Sequence, residues 1–191
     1  MIRIFSVLAS ANAIGLLASF AFGLLSMQRH SLENGDDWLF TAHFLCGLFT
    51  AVATLLVHCL IFTYFLGTGR WVREVTLAYD LPDEPLYKTT RVLKRKTFPP
   101  ALFAMLSVIA VAAAGGGRQL QDWPYQIHLY GAVGAIVLNF WAYWVEIRDI
   151  RRNEDILAGV YREVDRVRAE RGLPTNEESL RMEAETTPSR R

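Results

Sequence analysis

Long apolar runs almost free of charge alternate along this chain with short charged connections, and most of the charge collects in one internal loop and in the C-terminal segment. A run of about 18 or more apolar residues can cross the ~30 Å hydrocarbon core of a bilayer. Within that core every backbone polar group must be satisfied internally, which leaves helices or a closed barrel. The runs here are too long for barrel strands. The spacing predicts four spans over about residues 4–25, 38–66, 98–116 and 123–146. The expected fold is therefore all-α, an integral-membrane four-helix bundle over residues 1–147. A cytoplasmic helical extension over 148–185 and a disordered tail over 186–191 should follow.

Several signals set the expected boundaries. Asn34-Gly35 marks a turn, and Asp36 or Asp37 suits a helix cap. Gly67-Thr68-Gly69 should loosen or end the second span. Pro99-Pro100 suits the start of the third, where a missing N–H is harmless, and Gly115-Gly116-Gly117 should end it. The fourth span has no stop signal, so its helix should run on into the extension. Leu157, Val160, Val164 and Val167 recur there at a- and d-like spacing, as in a coiled coil. Gly172-Leu173-Pro174 closes that pattern, and Thr175 with Glu178 forms a capping box for one more short helix. Ala11-Asn12-Ala13 fits a small-x-small cleavage site, but the apolar run continues past it, so an uncleaved first span is expected.

The Lys and Arg distribution orients the chain. The first and third loops hold one each, Arg29 and Arg118. The second holds Arg70, Arg73, Lys88, Arg91, Lys94, Arg95 and Lys96. The positive-inside rule places that loop, both termini and the extension in the cytoplasm, in a cell membrane crossed several times. Arg70, Arg73, Lys94, Arg95 and Lys96 are expected to meet lipid phosphates. A net charge of +1 and the lack of any nucleic-acid-binding motif exclude a nucleic-acid partner. There is no His-Glu-x-x-His, no Gly-x-Ser-x-Gly and no carboxylate pair within a span, so no catalytic set is found. Cys46 and Cys59 lie about 20 Å apart along one helix and are read as free thiols.

Spans 2 and 4 carry the chemistry. Trp38, Phe40 and His43 are repeated as Trp123, Tyr125 and His128, each 85 residues on. Both spans run the same way, so the two histidines should lie at one depth, about 7 Å inside the tryptophans at 1.5 Å per residue. Below His43, Gly47, Thr54 and His58 share its face. Below His128, Asn139, Tyr143 and Glu146 share its face. The two faces are expected to meet, with spans 1 and 3 at the sides.

Two functions follow from this pattern. The plainer one is a small non-enzymatic subunit or scaffold of a membrane complex, with histidines that merely bond loops, headgroups or water. Its protein partner, or a second copy, would dock on the small-residue face Ala11, Gly15, Ser19 and Gly23 and on the 150–171 helix. The alternative is a b-type cytochrome or quinone-linked redox anchor, with His43 and His128 as axial ligands of a haem b and Gly47 and Gly131 clearing room for its ring. A copper site using Cys46 beside the two histidines is a lesser variant. Thr54, His58, Asn139 and Tyr143 would then form a polar pocket for a quinone or a proton.

Overall fold

The computed structural model describes residues 1–28 and 38–186. The Asn34-Gly35 turn, the Asp36 or Asp37 cap, Arg29 and the tail from 187 lie outside the described residues. The described residues are 91% helical and form five helices and no strand. The helices are α1 (Ile2–Gln28), α2 (Trp38–Tyr79), α3 (Leu86–Gln121), α4 (Tyr125–Glu170) and α5 (Asn176–Thr186). Of these, α1, α2 and α3 are long and apolar enough to cross a membrane. The same cannot be said of α4, whose apolar half is interrupted by His128, Asn139, Tyr143 and Glu146.

Three expected breaks fall inside helices. Gly67-Thr68-Gly69 lies within α2, and both Pro99-Pro100 and Gly115-Gly116-Gly117 lie within α3. The second helix therefore runs on to Tyr79, and the connection shrinks from the whole stretch between the expected second and third spans to the residues between Tyr79 and Leu86. The reason is packing that outweighs local preference. On α2 the buried positions Thr54, His58, Ile61, Phe65, Val72 and Thr76 continue one stripe past the glycines. On α3 Leu86, Thr90, Leu93, Thr97, Ala101, Ala104 and Val108 do the same across the prolines. A helix that buries one face on both sides of a weak point is held through it.

The chain divides into two compact units, Met1–Tyr64 with Arg95–Arg151, and Phe65–Lys94 with Arg152–Arg191. In the first unit α1 lies antiparallel to α2. Gly23 faces His43, Gly15 faces Thr50, and Asn12 bonds Thr54. The small-residue face of α1 is thus turned onto α2 of the same chain. In the same way α3 lies antiparallel to α4, with Gly115 facing His128, Ser107 near Asn139, and Thr97 bonded to Asp149. The starts and middles of α2 and α4 meet in the same order, so these two run parallel.

The second unit has its own apolar core of Val72, Leu81, Leu86, Val160 and Val164, with Leu157 and Val167 packed against it. The a- and d-like residues of α4 therefore pack against α2 and α3 segments of their own chain. Trp71 and Tyr161 add a ring contact at 5.0 Å. The ends of α2 and α4 close alike: Asp80 (φ 54°) and Gly172 (φ 66°) turn left-handed. Leu81 N–H then returns to Thr76 O and Leu173 N–H to Arg168 O, both at 2.9 Å. Arg168 ties this corner together through Pro174 O, Tyr79 Oη and Ser179 Oγ.

The capping box forms as expected. Thr175 N–H donates to Glu178 Oε2 at 2.8 Å, and Glu178 N–H donates to Thr175 Oγ1 at 3.3 Å. The Thr175 backbone and hydroxyl donors hold the Glu178 carboxyl below the usual glutamate range. A depressed folded-state pKa means stabilisation that is present above the unfolded value, about 4.3, and lost as pH falls through the folded value. Amide exchange at Thr175 should therefore quicken as pH drops below that range, after correction for intrinsic rates. In Glu178→Ala it should be fast throughout.

Candidate cofactor site

His43 and His128 are brought together. Their ring centres are 6.0 Å apart with planes at 83°. Each ring is held in the same way. His43 Nδ1–H donates to Ser19 O, and His128 Nδ1–H donates to Val111 O, both at 2.9 Å. A carbonyl only accepts, so Nδ1 carries the proton in the neutral ring and Nε2 keeps its lone pair. Four residues beyond each carbonyl stands a glycine. A Cβ at Gly23 would lie 2.9 Å from His43 Cε1, and a Cβ at Gly115 would lie 2.9 Å from His128 Cε1. Only glycine lets the ring lie this close to the neighbouring helix.

Both rings line one cavity of about 640 Å³ between α1, α2, α3 and α4. Its walls are mainly apolar, with Leu16, Phe20, Phe44, Val108 and Leu129 among them. Gly47 and Ala132 both line it, and only Ser19 Oγ comes within 4 Å of a Cβ built at Gly47, so α4 does not fill that space. Gly131 is placed differently. It faces Val111 of α3 and is not on the cavity wall. Ser19 on α1 and Arg118 and Gln119 near the end of α3 are among the polar groups that line the cavity.

The residues fit a planar metal-bearing ring better than a bare ion. Two imidazoles that each place a nitrogen about 2.0–2.1 Å from one metal have ring centres roughly 6 Å apart. The observed separation agrees. The volume also falls within the ~300–1,000 Å³ usual for organic ligands. For a bare ion, third and fourth donors are missing. Cys46 Sγ points to Gly15 O at 3.9 Å, and no group of three or more His, Cys, Asp or Glu suited to a metal occurs among the described residues.

The second constellation, Thr54, His58, Asn139 and Tyr143, also comes together, but as a packed cluster that does not line the cavity. His58 Nε2–H donates to Asn139 Oδ1 at 3.1 Å. The amide is oriented by its own Nδ2, which donates to Ala135 O at 2.8 Å. His58 Nδ1 lies 2.7 Å from Glu146 Oε1, with both side chains fully buried. Tyr143 stacks on His58 at 5.1 Å and accepts from Asn12 Nδ2 at 2.6 Å. Thr54 accepts from the same amide and donates to Thr50 O.

Sequence reasoning placed Glu146 on the right face but did not pair it with His58, and it missed Asn12 and the two glycine notches. Signals for them exist. Asn12 is the one carboxamide in the first apolar run before Gln28, and Gly23 and Gly115 stand 92 residues apart, as do Ser19 and Val111. The basic residues assigned to lipid are mostly exposed. Arg70, Arg73, Arg95 and Lys96 are exposed, Lys94 is half-buried, and Arg70 pairs with Glu74 at 2.8 Å.

The notches give a paired test. Gly116 has nothing within 4 Å of a built Cβ, whereas Gly115 has the His128 ring. Gly116→Ala should raise thermal stability by about 0.5–1 kcal/mol through helix propensity. Gly115→Ala should lower it by about 1–3 kcal/mol through overpacking, as should Gly23→Ala. Unfolding in detergent measures both.

Comparison with known protein families, curated proteins and solved structures returns no match.

Proposed function

We propose that this protein is a membrane-embedded b-type cytochrome, a four-helix bundle that carries a haem b between α2 and α4 with His43 and His128 as axial ligands. The observation that carries the reading is the matched pair of imidazoles. Each has Nδ1 tied to a carbonyl, each lines the same apolar cavity, and their centres are 6.0 Å apart. A haem held this way supplies one-electron transfer.

The chain's own groups prepare that role. The Ser19 and Val111 carbonyls hold the tautomer and orientation of each ring and raise the basicity of Nε2. Gly23 and Gly115 set how far each ring stands off its supporting helix. The apolar walls keep water from the ring plane. At one end Arg118 offers a cation to the acidic edge of an amphipathic ligand. The bundle would cross the membrane four times. The polar face that lowers the hydropathy of α4 would be turned to the interior, where intramembrane polar groups belong. The Lys and Arg distribution puts both termini and the connection between α2 and α3 in the cytoplasm of a cell-membrane protein. Exposed Arg73, Arg95 and Lys96 would meet lipid phosphates.

The scaffold reading rests on Gly15, Ser19, Gly23 and the 150–171 helix as docking faces. Gly15 and Gly23 lie against Thr50 and His43, and Val160 and Val164 lie in the core of the second unit. These contacts leave that reading without an observation of its own.

The test is the visible spectrum of the full-length protein purified in mild detergent from cells supplied with haem precursor. A Soret band with sharp reduced α and β bands is expected. It should be lost in His43→Ala and in His128→Ala and kept in Gly134→Ala, whose added Cβ meets nothing within 4 Å and which is not on the cavity wall. A colourless protein, or a band indifferent to both histidines, would contradict the proposal.

A further inference from the structure

His58 and Glu146 form a buried acid–base couple that haem ligation does not use, and it sits directly beneath the cavity. Thr50 and Ala135 line the cavity floor. Their carbonyls accept from Thr54 and Asn139, the uppermost members of the buried cluster. From Asn139 the chain of contacts passes to His58 and on to Glu146. One turn further along α4, Asp149 holds Thr97 at 2.8 Å and Arg148 at 2.8 Å, and the Arg148 side chain is 36% exposed. A polar line thus leads from the cavity floor towards the charged end of the unit.

The proton count of the couple is fixed by its neighbours. Asn139 Oδ1 accepts from His58 Nε2, so that nitrogen is protonated. One further proton lies between Nδ1 and Oε1. Glu146 Oε2, though fully buried, has no hydrogen-bond partner. Asn12 Oδ1 is a buried acceptor left unpaired in the same way, but only the carboxyl oxygen can answer that cost by binding one more proton.

We propose that the His58–Glu146 couple is a redox-linked proton site. This rests on the haem reading above. When a one-electron donor reduces the cavity's occupant, the proton affinity of Glu146 Oε2 rises and a proton is drawn towards it from hydronium in the aqueous phase. An O–H bond forms at Oε2 as one breaks in hydronium, which is left as water, and the Nδ1···Oε1 proton stays within the couple. The bound proton offsets part of the charge of the added electron, which a low-dielectric interior favours. The groups facing the couple are few. Tyr143 of α4 stacks on the imidazole, α1 presents the uncharged Asn12, α3 presents Ser107 through Asn139, and Asp149 is held by Thr97 and Arg148. His43 and His58 are fifteen residues apart on α2, roughly 20 Å at 1.5 Å per residue. At that distance and an effective dielectric constant near 20, one charge changes proton affinity by about fourfold.

Potentiometric titration of the haem-loaded protein from about pH 5 to pH 8 tests this. The midpoint potential should fall as pH rises, by about 35 mV in all, which is the fourfold change converted at about 59 mV per tenfold. In Glu146→Gln it should be flat. The reduced-minus-oxidised infrared difference of the wild type, which needs no variant to fold, should show a carboxylic acid C=O band on reduction. A haem-loaded wild type with a flat potential, an unchanged slope in Glu146→Gln, or no carboxylic acid band overturns the linkage and leaves the cytochrome reading standing. A protein that takes up no haem overturns both.

Discussion

Two hydrogen bonds to backbone carbonyls, from His43 Nδ1 to Ser19 and from His128 Nδ1 to Val111, fix the state in which two imidazoles line the cavity of the first unit. Without them each imidazole could rotate or exchange tautomers, and its nitrogens would meet the cavity in no fixed state. With them, Nε2 of each neutral ring keeps its lone pair while the protonated nitrogen is satisfied at the wall. The bonds also join the helices. Each ties a histidine-bearing helix to its antiparallel neighbour at the point where a glycine admits the ring. Imidazole orientation and hairpin packing are therefore one arrangement.

The same arrangement occurs twice. The histidine-bearing helices match at an offset of 85 residues and the supporting helices at 92, because the connection between α3 and α4 is shorter than that between α1 and α2. Lower down, the equivalence persists with changed chemistry. Thr54 corresponds to Asn139, and His58 corresponds to Tyr143, on which it stacks. The two halves differ most where the buried acid–base couple lies. Glu146 has no acidic counterpart on α2, where the matching position is Ile61, a fully buried core residue. A pair of like hairpins thus supports a matched histidine pair above and an asymmetric polar cluster below.

The offset of 85 between the Trp-aromatic-His openings was enough to place the two histidines together, because side chains at helical spacing on parallel helices stay level. The capping box at Thr175 and Glu178 was equally plain, since its two bonds are local. The glycine and proline runs misled, because local helix-breaking tendency is worth only about 1 kcal/mol for glycine and 3 for proline. Stripes such as Leu86, Leu93, Ala101 and Val108 outweigh that by burial. The triple glycine had a different purpose. Gly115 admits His128, and Gly117 admits the Trp123 ring, which stands 2.5 Å from a built Cβ. Asn12 and Glu146 were hidden for another reason. Their partners lie 42 and 88 residues away in the chain, and no periodicity within one helix encodes such contacts. The polar face of α4 was legible as a face, but not as the reason this helix is less apolar than the other three.

Electron paramagnetic resonance of the oxidised, haem-loaded protein at low temperature tests the central claim most directly, because it reports the ligands and their relative orientation together. Two neutral imidazoles with planes near 83° leave the iron's two π-symmetry d orbitals close in energy. The account predicts a low-spin ferric signal with one very large g value. A high-spin signal, or the rhombic low-spin signal of parallel imidazole planes, would contradict it.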